Sequence, residues 1–197
     1  MRLLLHACCG PCLIEPLDAF TGVADELTIV FANSNIHPAE EYERRLTTLR
    51  EYAVTQGVTV LELGYDPAAW VLSVGPFARS GAERCRACYR LRLGEAARYA
   101  AENGYDALAT TLTVSPYQSA EDILTEGRAA AAAAGVEWLD RDFRELYPQA
   151  TRRSRELSMY RQNYCGCVLS DVEARDARAQ RRADWAAQKA DRFPKDA

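Results

Sequence analysis

NGYDALATTL, residues 103–112, holds a helix ending and a buried strand within ten residues. Upstream, Tyr89, Leu93, Ala96 and Ala100 recur at spacings of four, three and four, the period of one helix face. Gly104 suits the left-handed backbone position that closes a helix, and DALATTL (106–112) reads as a short buried strand. The same order recurs in QGVTVLEL (56–63) and AGVEWLD (134–140), with Gly57 and Gly135 at the matching place.

Outward from these junctions, RLLLHA (2–7), LTIVFA (27–32), VTVLEL (58–63) and VEWLD (136–140) supply further strands. Tyr42, Leu46, Leu49 and Ala53 form a helix face between the second and third, and Ser119 with Asp122 resembles a capping box that opens another helix. Pro16 is expected to open the helix that follows RLLLHA. Strands alternating with helices pair in parallel and need helices on both faces. The expected fold is therefore a three-layer α/β/α domain, doubly wound around a mostly parallel sheet of about five strands, of the nucleotide-hydrolase or HUP-like kind. Residues 1–170 form one catalytic domain holding every cysteine, and 171–197 a charged, solvated helical tail, opened by a capping box at Ser170 and Glu173 and ending towards Pro194.

A length of 197 residues with 48% hydrophobic and 26% charged residues is enough for one well-buried domain. The 24 basic and 28 acidic side chains leave a net charge of −4, so nucleic-acid binding would need a local basic patch. No segment approaches the roughly 20 apolar residues of a membrane span, and MRLLLHACC lacks a signal-peptide pattern. The expected location is the cytoplasm, without membrane contact. There thiols stay reduced, so seven cysteines point to metal binding or redox chemistry rather than a disulfide framework.

In a doubly wound sheet the residues just after each strand converge on one rim. Here that rim collects Cys8, Cys9 and Cys12; Asn33, Asn35 and His37; Tyr65 and Asp66; Thr113 and Ser115; Asp140 and Asp142. His6, inside the first strand, reads as a satisfied core residue. His37, Asn33, Asn35 and Ser115 are candidate substrate contacts, and Asp66, Asp142 and Tyr164 candidate proton donors.

The cysteines fall into CCGPC (Cys8, Cys9, Cys12), RCRAC (Cys85, Cys88) and YCGC (Cys165, Cys167). Thiolates are soft ligands suited to zinc or an iron–sulfur cluster, and four suffice for either. Adjacent Cys8 and Cys9 with the Cys85-x-x-Cys88 pair would provide four and leave three over, which favours redox chemistry over a closed structural zinc site. Cys165 and Cys167 could form a strained, reducible bridge across glycine, or hold a second metal ion with Cys12. A thioredoxin reading of CGPC leaves five cysteines surplus. The signature C-x-x-x-C-x-x-C of radical S-adenosylmethionine enzymes is absent.

YRQNY (160–164) runs into the C-x-C pair with hydrogen-bonding and stacking groups, among them Arg161, Asn163 and Tyr164. Arg141, Arg144, Arg152, Arg153, Arg155 and Arg161 precede that pair, and Arg84, Arg86, Arg90 and Arg92 surround the C-x-x-C group. Arginine grips phosphate bidentately, so Arg152, Arg153 and Arg161 are candidate nucleic-acid contacts.

Taken together and in order, LLHACCGPC, ANSNIHPAEEYERR, YDPAAW, RCRACYRLRL, TTLTVSPYQS and MYRQNYCGC resemble the cobalamin-independent epoxyqueuosine reductases, the QueH family, over roughly residues 1–170. TVSPYQS departs from an SPHK-like stretch common in that family, which alters any contact at Tyr117 or Gln118. The resemblance implies an oxidoreductase that converts epoxyqueuosine to queuosine in the anticodon stem-loop of tRNA, the last step of that modification, with an external electron donor and without cobalamin. It implies a [4Fe–4S] cluster on Cys8, Cys9, Cys85 and Cys88, beside a redox pair of Cys165 and Cys167 or an additional iron ion to which Cys12, Cys165 and Cys167 are candidate ligands. A tRNA sulfur-transfer enzyme is the main rival, but the Ser-Gly-Gly phosphate loop expected after the first strand is replaced by Cys-Cys-Gly-Pro. A zinc-bound RNA-binding domain is the third reading, disfavoured by the surplus thiols.

Overall fold

Short continuous apolar runs and stretches of helical period alternate along the chain, and the elements follow them. A computed structural model describes the backbone of residues 1–192. In order it contains β1 (Arg2–His6), α1 (Gly10–Thr21), β2 (Glu26–Phe31), α2 (Ala39–Thr55), β3 (Thr59–Glu62), α3 (Pro67–Val74), α4 (Gly81–Glu102), β4 (Ala107–Thr110), α5 (Ala120–Ala134), β5 (Glu137–Trp138), α6 (Tyr147–Glu156) and α7 (Val168–Arg192). Short 3-10 turns at Gly75–Phe77, Leu112–Val114 and Arg144–Leu146 join some of these.

The sheet runs β3-β2-β1-β4-β5 and every pairing is parallel. Leu3 and Leu5 of β1 bury one face against α1, α2 and neighbouring apolar side chains of α6, while Leu4, Val30 and Leu108 meet Ala96, Ala97 and Ala100 of α4 on the other. The chain winds outward from β1 in both directions, so the crevice between β1 and β4 is the switch point where such folds bind ligands. Gly104, with φ at +69°, makes the left-handed turn expected of it, as do Gly57 at +67° and Gly135 at +75°.

Two helix starts differ from expectation. The first helix opens at Gly10 with Pro11 in its first turn, and Pro16 lies inside it. That proline, the seventh residue of the helix, has no N–H to give the Cys12 carbonyl, so one backbone hydrogen bond is missing there. The tail helix opens at Val168 rather than Ser170, because the Cys167 sulfur accepts from the Ser170 backbone N–H at 3.3 Å. Glu173, expected in a capping box, instead pairs with Arg84. The expected end towards Pro194 lies outside the described residues.

His6 is a core residue, as its place in β1 suggests. Its Nε2 faces the Ala32 carbonyl at 3.2 Å, which can only accept, so the neutral Nε2–H tautomer is held and Nδ1 accepts from the Thr110 hydroxyl at 2.9 Å. Burial, with Arg92 nearby, pulls its pKa from 6.5 to about 3. A folded-state value depressed below the unfolded one means the unfolded chain takes up a proton the folded ring refuses. Stability is therefore lost as pH falls from 6.5 towards 3, by up to about 1.4 kcal/mol per pH unit from this group. Urea unfolding of the metal-free chain at pH 7 and pH 5 should show a loss about 2 kcal/mol larger in wild type than in His6→Asn. Equal losses would contradict the burial argument.

Candidate metal centre and substrate cavity

Three groups of thiols meet at the carboxyl end of the sheet. Cys8 and Cys9 leave β1, and Cys12 lies in the first turn of α1, whose N-cap is Cys9. The sulfurs of Cys8, Cys9 and Cys12 all lie within 4.8 Å of one another and are buried. The spacing follows from the helix: a cap residue and the third residue after it face the same way. Cys85 and Cys88 sit in the first two turns of α4, capped by Ser80, and Cys85 packs against the core that holds Cys8, Cys9 and Cys12. Cys88 and Cys167 are buried beside Trp70, whose Nε1–H donates to the Cys88 sulfur at 3.3 Å.

A cavity of about 860 Å³ opens above them. Of the residues singled out from the sequence, Cys8, Cys12, Cys85, Cys165, Ser115, Arg161, Asn163 and Tyr164 line it. Cys9, Cys88 and Cys167 stand behind the wall. The C-x-C pair is thus divided, Cys165 exposed at the cavity and Cys167 buried.

Other expected contacts are committed to the scaffold. Asn33 donates to the Ala7 carbonyl at 2.8 Å and accepts from Arg92, so it fixes the loop after β1. Asn35 is buried and its carbonyl accepts from His37 Nδ1 at 2.7 Å, while the His37 ring packs on Trp70 at 5.3 Å. Asp66 caps α3 by accepting from the Ala69 N–H at 2.9 Å, and Asp142 is held below the usual carboxylate range by hydrogen bonding to Arg144. Arg153 bridges Glu15 at 3.1 Å and Asp18 at 2.6 Å, fastening α6 to α1, and Arg152 faces Glu156 at 3.9 Å. None of these seven lines the cavity.

Two buried arginines surround the thiols: Arg45, which no motif singled out, and Arg92, named in the sequence only among the arginines around the C-x-x-C group. Arg45 is 1% exposed, pairs with Glu41 at 2.7 Å and donates to the carbonyls of Cys165 at 2.8 Å and Tyr164 at 3.2 Å. Arg92 is equally buried, lines the cavity and has no carboxylate partner among the described residues. Both carried a signal in sequence: Arg45 falls three after Tyr42 and four before Leu49, and Arg92 three after Tyr89 and four before Ala96. A cation on an apolar stripe must find an anion inside the fold.

Hydrogen bonds from Cys12 and then Cys9 pull the Cys8 thiol well below its usual range, aided by Arg92 and Arg45. Burial pushes Cys9 up to about 12, and the neighbouring Cys8 and Cys9 sulfurs raise Cys12. Cys165 is exposed, so crowding of its sulfur by protein atoms, with Cys88 close by, pushes it up to about 12 rather than full loss of solvent. Without a metal, the trio favours ionisation at Cys8 over Cys9 and Cys12. A soft cation would release the remaining protons, and the two guanidinium groups offset the anionic charge that results.

The YRQNYCGC loop is pinned above the thiols. Tyr160 donates to Glu41 at 2.7 Å, Gln162 to the Cys9 sulfur at 2.9 Å, and Tyr164 to the His37 carbonyl. Gly166 has φ at +143°, and a Cβ there would lie 2.9 Å from Asn35 Nδ2. Gly166→Ala should therefore cost about 1–3 kcal/mol in denaturant unfolding and loosen the loop. A midpoint equal to wild type would show that the loop can shift freely.

A family model for epoxyqueuosine reductase QueH matches residues 3–173. The chain belongs to the QueH family. Similar proteins named epoxyqueuosine reductase QueH come from Dehalococcoides mccartyi, 33% identical over 87% of this chain and 93% of that one, and Thermotoga maritima, 32% identical over 90% and 94%. Another, from Streptococcus pyogenes, is 36% identical over 85% of this chain and 69% of its own length. The QueH name places the chain among reductases, so the oxidoreductase reading stands. A crystal structure of a predicted subunit of a tRNA methyltransferase from Methanocaldococcus jannaschii shares the fold, with a TM-score of 0.51 at 10% identity over 78% of this chain and 75% of that one.

Proposed function

We propose that this QueH protein reduces epoxyqueuosine in tRNA to queuosine, the closing step of that modification, with a [4Fe–4S] cluster on its thiols. The observation that carries the reading is the buried trio Cys8, Cys9 and Cys12 beside Cys85, under a cavity lined by two further unsatisfied amides. Cys8, Cys9, Cys85 and Cys88 would hold the cluster, with Cys12 and Cys165 on the cavity side for an additional iron or a redox partner. When bound, the cluster supplies electrons one at a time.

Removing the epoxide oxygen to leave an alkene takes two electrons and two protons and releases that oxygen as water. The electrons come from an external donor. Asp66 and Asp142 are occupied at a helix cap and by Arg144 and lie off the cavity, whereas Tyr164 lines it; its hydroxyl donates to the His37 carbonyl and would have to leave that acceptor to deliver a proton, and burial, which raises its pKa to about 12, keeps it protonated at neutral pH. Gln118 and Gln162 each present a buried Oε1 without a partner. Both line the cavity and can accept from the N–H groups of a nucleobase. No helix among the described residues is long and apolar enough to cross a membrane.

Iron and acid-labile sulfide should be measured on protein purified without oxygen. About four sulfides and four or five irons per chain, with a broad absorbance that bleaches on reduction, are expected, followed by turnover on epoxyqueuosine tRNA. Zinc without labile sulfide after attempted reconstitution would overturn the reading.

A further inference from the structure

The cavity wall extends past the matched part of the chain. Ser170, Glu173, Ala174, Ala177, Arg178 and Arg181 of α7 all line it, a run at helical spacing that presents one face. Ala174 and Ala177 let the helix approach closely, and Arg178 is anchored by donating to the Asn163 carbonyl at 3.2 Å. The family match ends at residue 173, so Arg178 and Arg181 lie beyond it.

The charge there is one-sided. The cavity is lined by five arginines (Arg84, Arg92, Arg161, Arg178, Arg181) and one acidic residue, Glu173, in a chain whose net charge is −4. Glu173 is neutralised by two hydrogen bonds from Arg84, at 2.8 and 3.0 Å. Arg161, Arg178 and Arg181 form no ion pair among the described residues, whereas Arg153 and Arg175 do. Trp185 continues the stripe, four residues after Arg181 and seven after Arg178, and is 65% exposed. At another part of the mouth Tyr117 is 85% exposed and sits edge-on to Tyr147. Lys189 Nζ lies 5.3 Å from the Trp185 ring centroid, so one side of the indole carries a further cation. Unpaired arginines beside exposed aromatic side chains match a phosphate backbone with an unstacked base, as in a single-stranded RNA loop.

We propose that Arg178, Arg181 and Trp185 on the cavity-facing stripe of α7, with Arg161, grip the RNA substrate, the arginines on its phosphates and the indole against a base. This rests on the tRNA reading above and moves the phosphate contacts from α6, where Arg152 and Arg153 are engaged, to the tail.

The test uses the full chain and a fluorescein-labelled anticodon stem-loop, with anisotropy followed across a salt series. Arg178→Ala/Arg181→Ala should weaken binding about tenfold near 0.1 M salt and flatten the plot of log Kd against log salt by about 1.5, as loss of two phosphate contacts requires. Trp185→Ala should weaken binding about 5- to 100-fold, and Trp185→Phe should restore most of it. Arg50→Ala/Arg128→Ala removes the same charge from side chains paired with Glu62 and Asp140 off the cavity wall and should change the slope by less than half as much. An unchanged slope in the first variant, or an equal change in the control, overturns the proposal and leaves the stripe to an acidic protein. Failure of wild type itself to bind the stem-loop overturns the tRNA reading with it.

Discussion

Cys8→Ser protein, prepared without oxygen, will lack acid-labile sulfide and will turn over epoxyqueuosine tRNA more than about 100-fold more slowly than wild type. The size follows from the proposed role: loss of a group that merely supports a metal ligand costs about 10- to 100-fold, and Cys8 is proposed as a ligand itself. Its sulfur is the one that Cys12, Cys9, Arg92 and Arg45 together hold as thiolate in the metal-free chain, so it is the first anchor for an incoming cation. The other thiols divide by place. Cys85→Ser should behave like Cys8→Ser, because Cys85 shares the cavity and the core group with it. Cys12→Ser should retain the sulfide and lose turnover. If Cys12→Ser loses the sulfide while Cys85→Ser keeps it, the cluster belongs to the compact trio of Cys8, Cys9 and Cys12 instead.

Which parts of this were legible depends on how local the determinants are. The sheet and its winding could be read because three helices, α2, α4 and α5, give way to a glycine with positive φ directly before an apolar run, at Gly57, Gly104 and Gly135. The place of Cys8, Cys9 and Cys12 followed from the rule that strand ends share a rim, whereas Cys85, inside α4, and Cys165, just before α7, follow no strand and were tied to that rim only by thiol chemistry and the family resemblance. What sequence spacing could not resolve was how each polar side chain is used. Asp66 and Asp142 have the composition of proton donors and the geometry of a cap and an ion pair. Arg153 has the chemistry of a phosphate contact but meets Glu15 from a helix more than one hundred residues away. The tail reads as a solvated helix because its cavity face is mostly alanine and arginine, composition that a surface helix shares; only the packing places Ala174 and Ala177 against the cavity. Arg45 is the instructive omission, since its spacing placed it on an apolar face, and Arg92, grouped with its neighbours around the C-x-x-C pair, carried the same signal.

Arg45 sets the second large effect. Its guanidinium is fully buried, and Glu41, 6% exposed, is its only carboxylate within salt-bridge distance among the described residues, at 2.7 Å. Removing one member of such a pair strands the other's charge in the interior, which costs about 3–5 kcal/mol. Glu41→Ala should therefore lower the unfolding midpoint of the metal-free protein by roughly 6–20 °C, since one kcal/mol shifts a domain of this size by about 2–4 °C. The loss includes the hydrogen bond from Tyr160, so the YRQNYCGC loop should become the first segment to exchange its amides. Replacing both partners, as Glu41→Leu/Arg45→Met, leaves no stranded charge and should recover most of the stability. It should not recover cluster retention, because the Cys165 and Tyr164 carbonyls lose the donor that pins the loop and the thiolates lose a counter-charge. A double variant that regains both stability and labile sulfide would show that Arg45 serves folding alone, and a Glu41→Ala loss below about 1 kcal/mol would mean that water or a shifted side chain reaches the buried guanidinium.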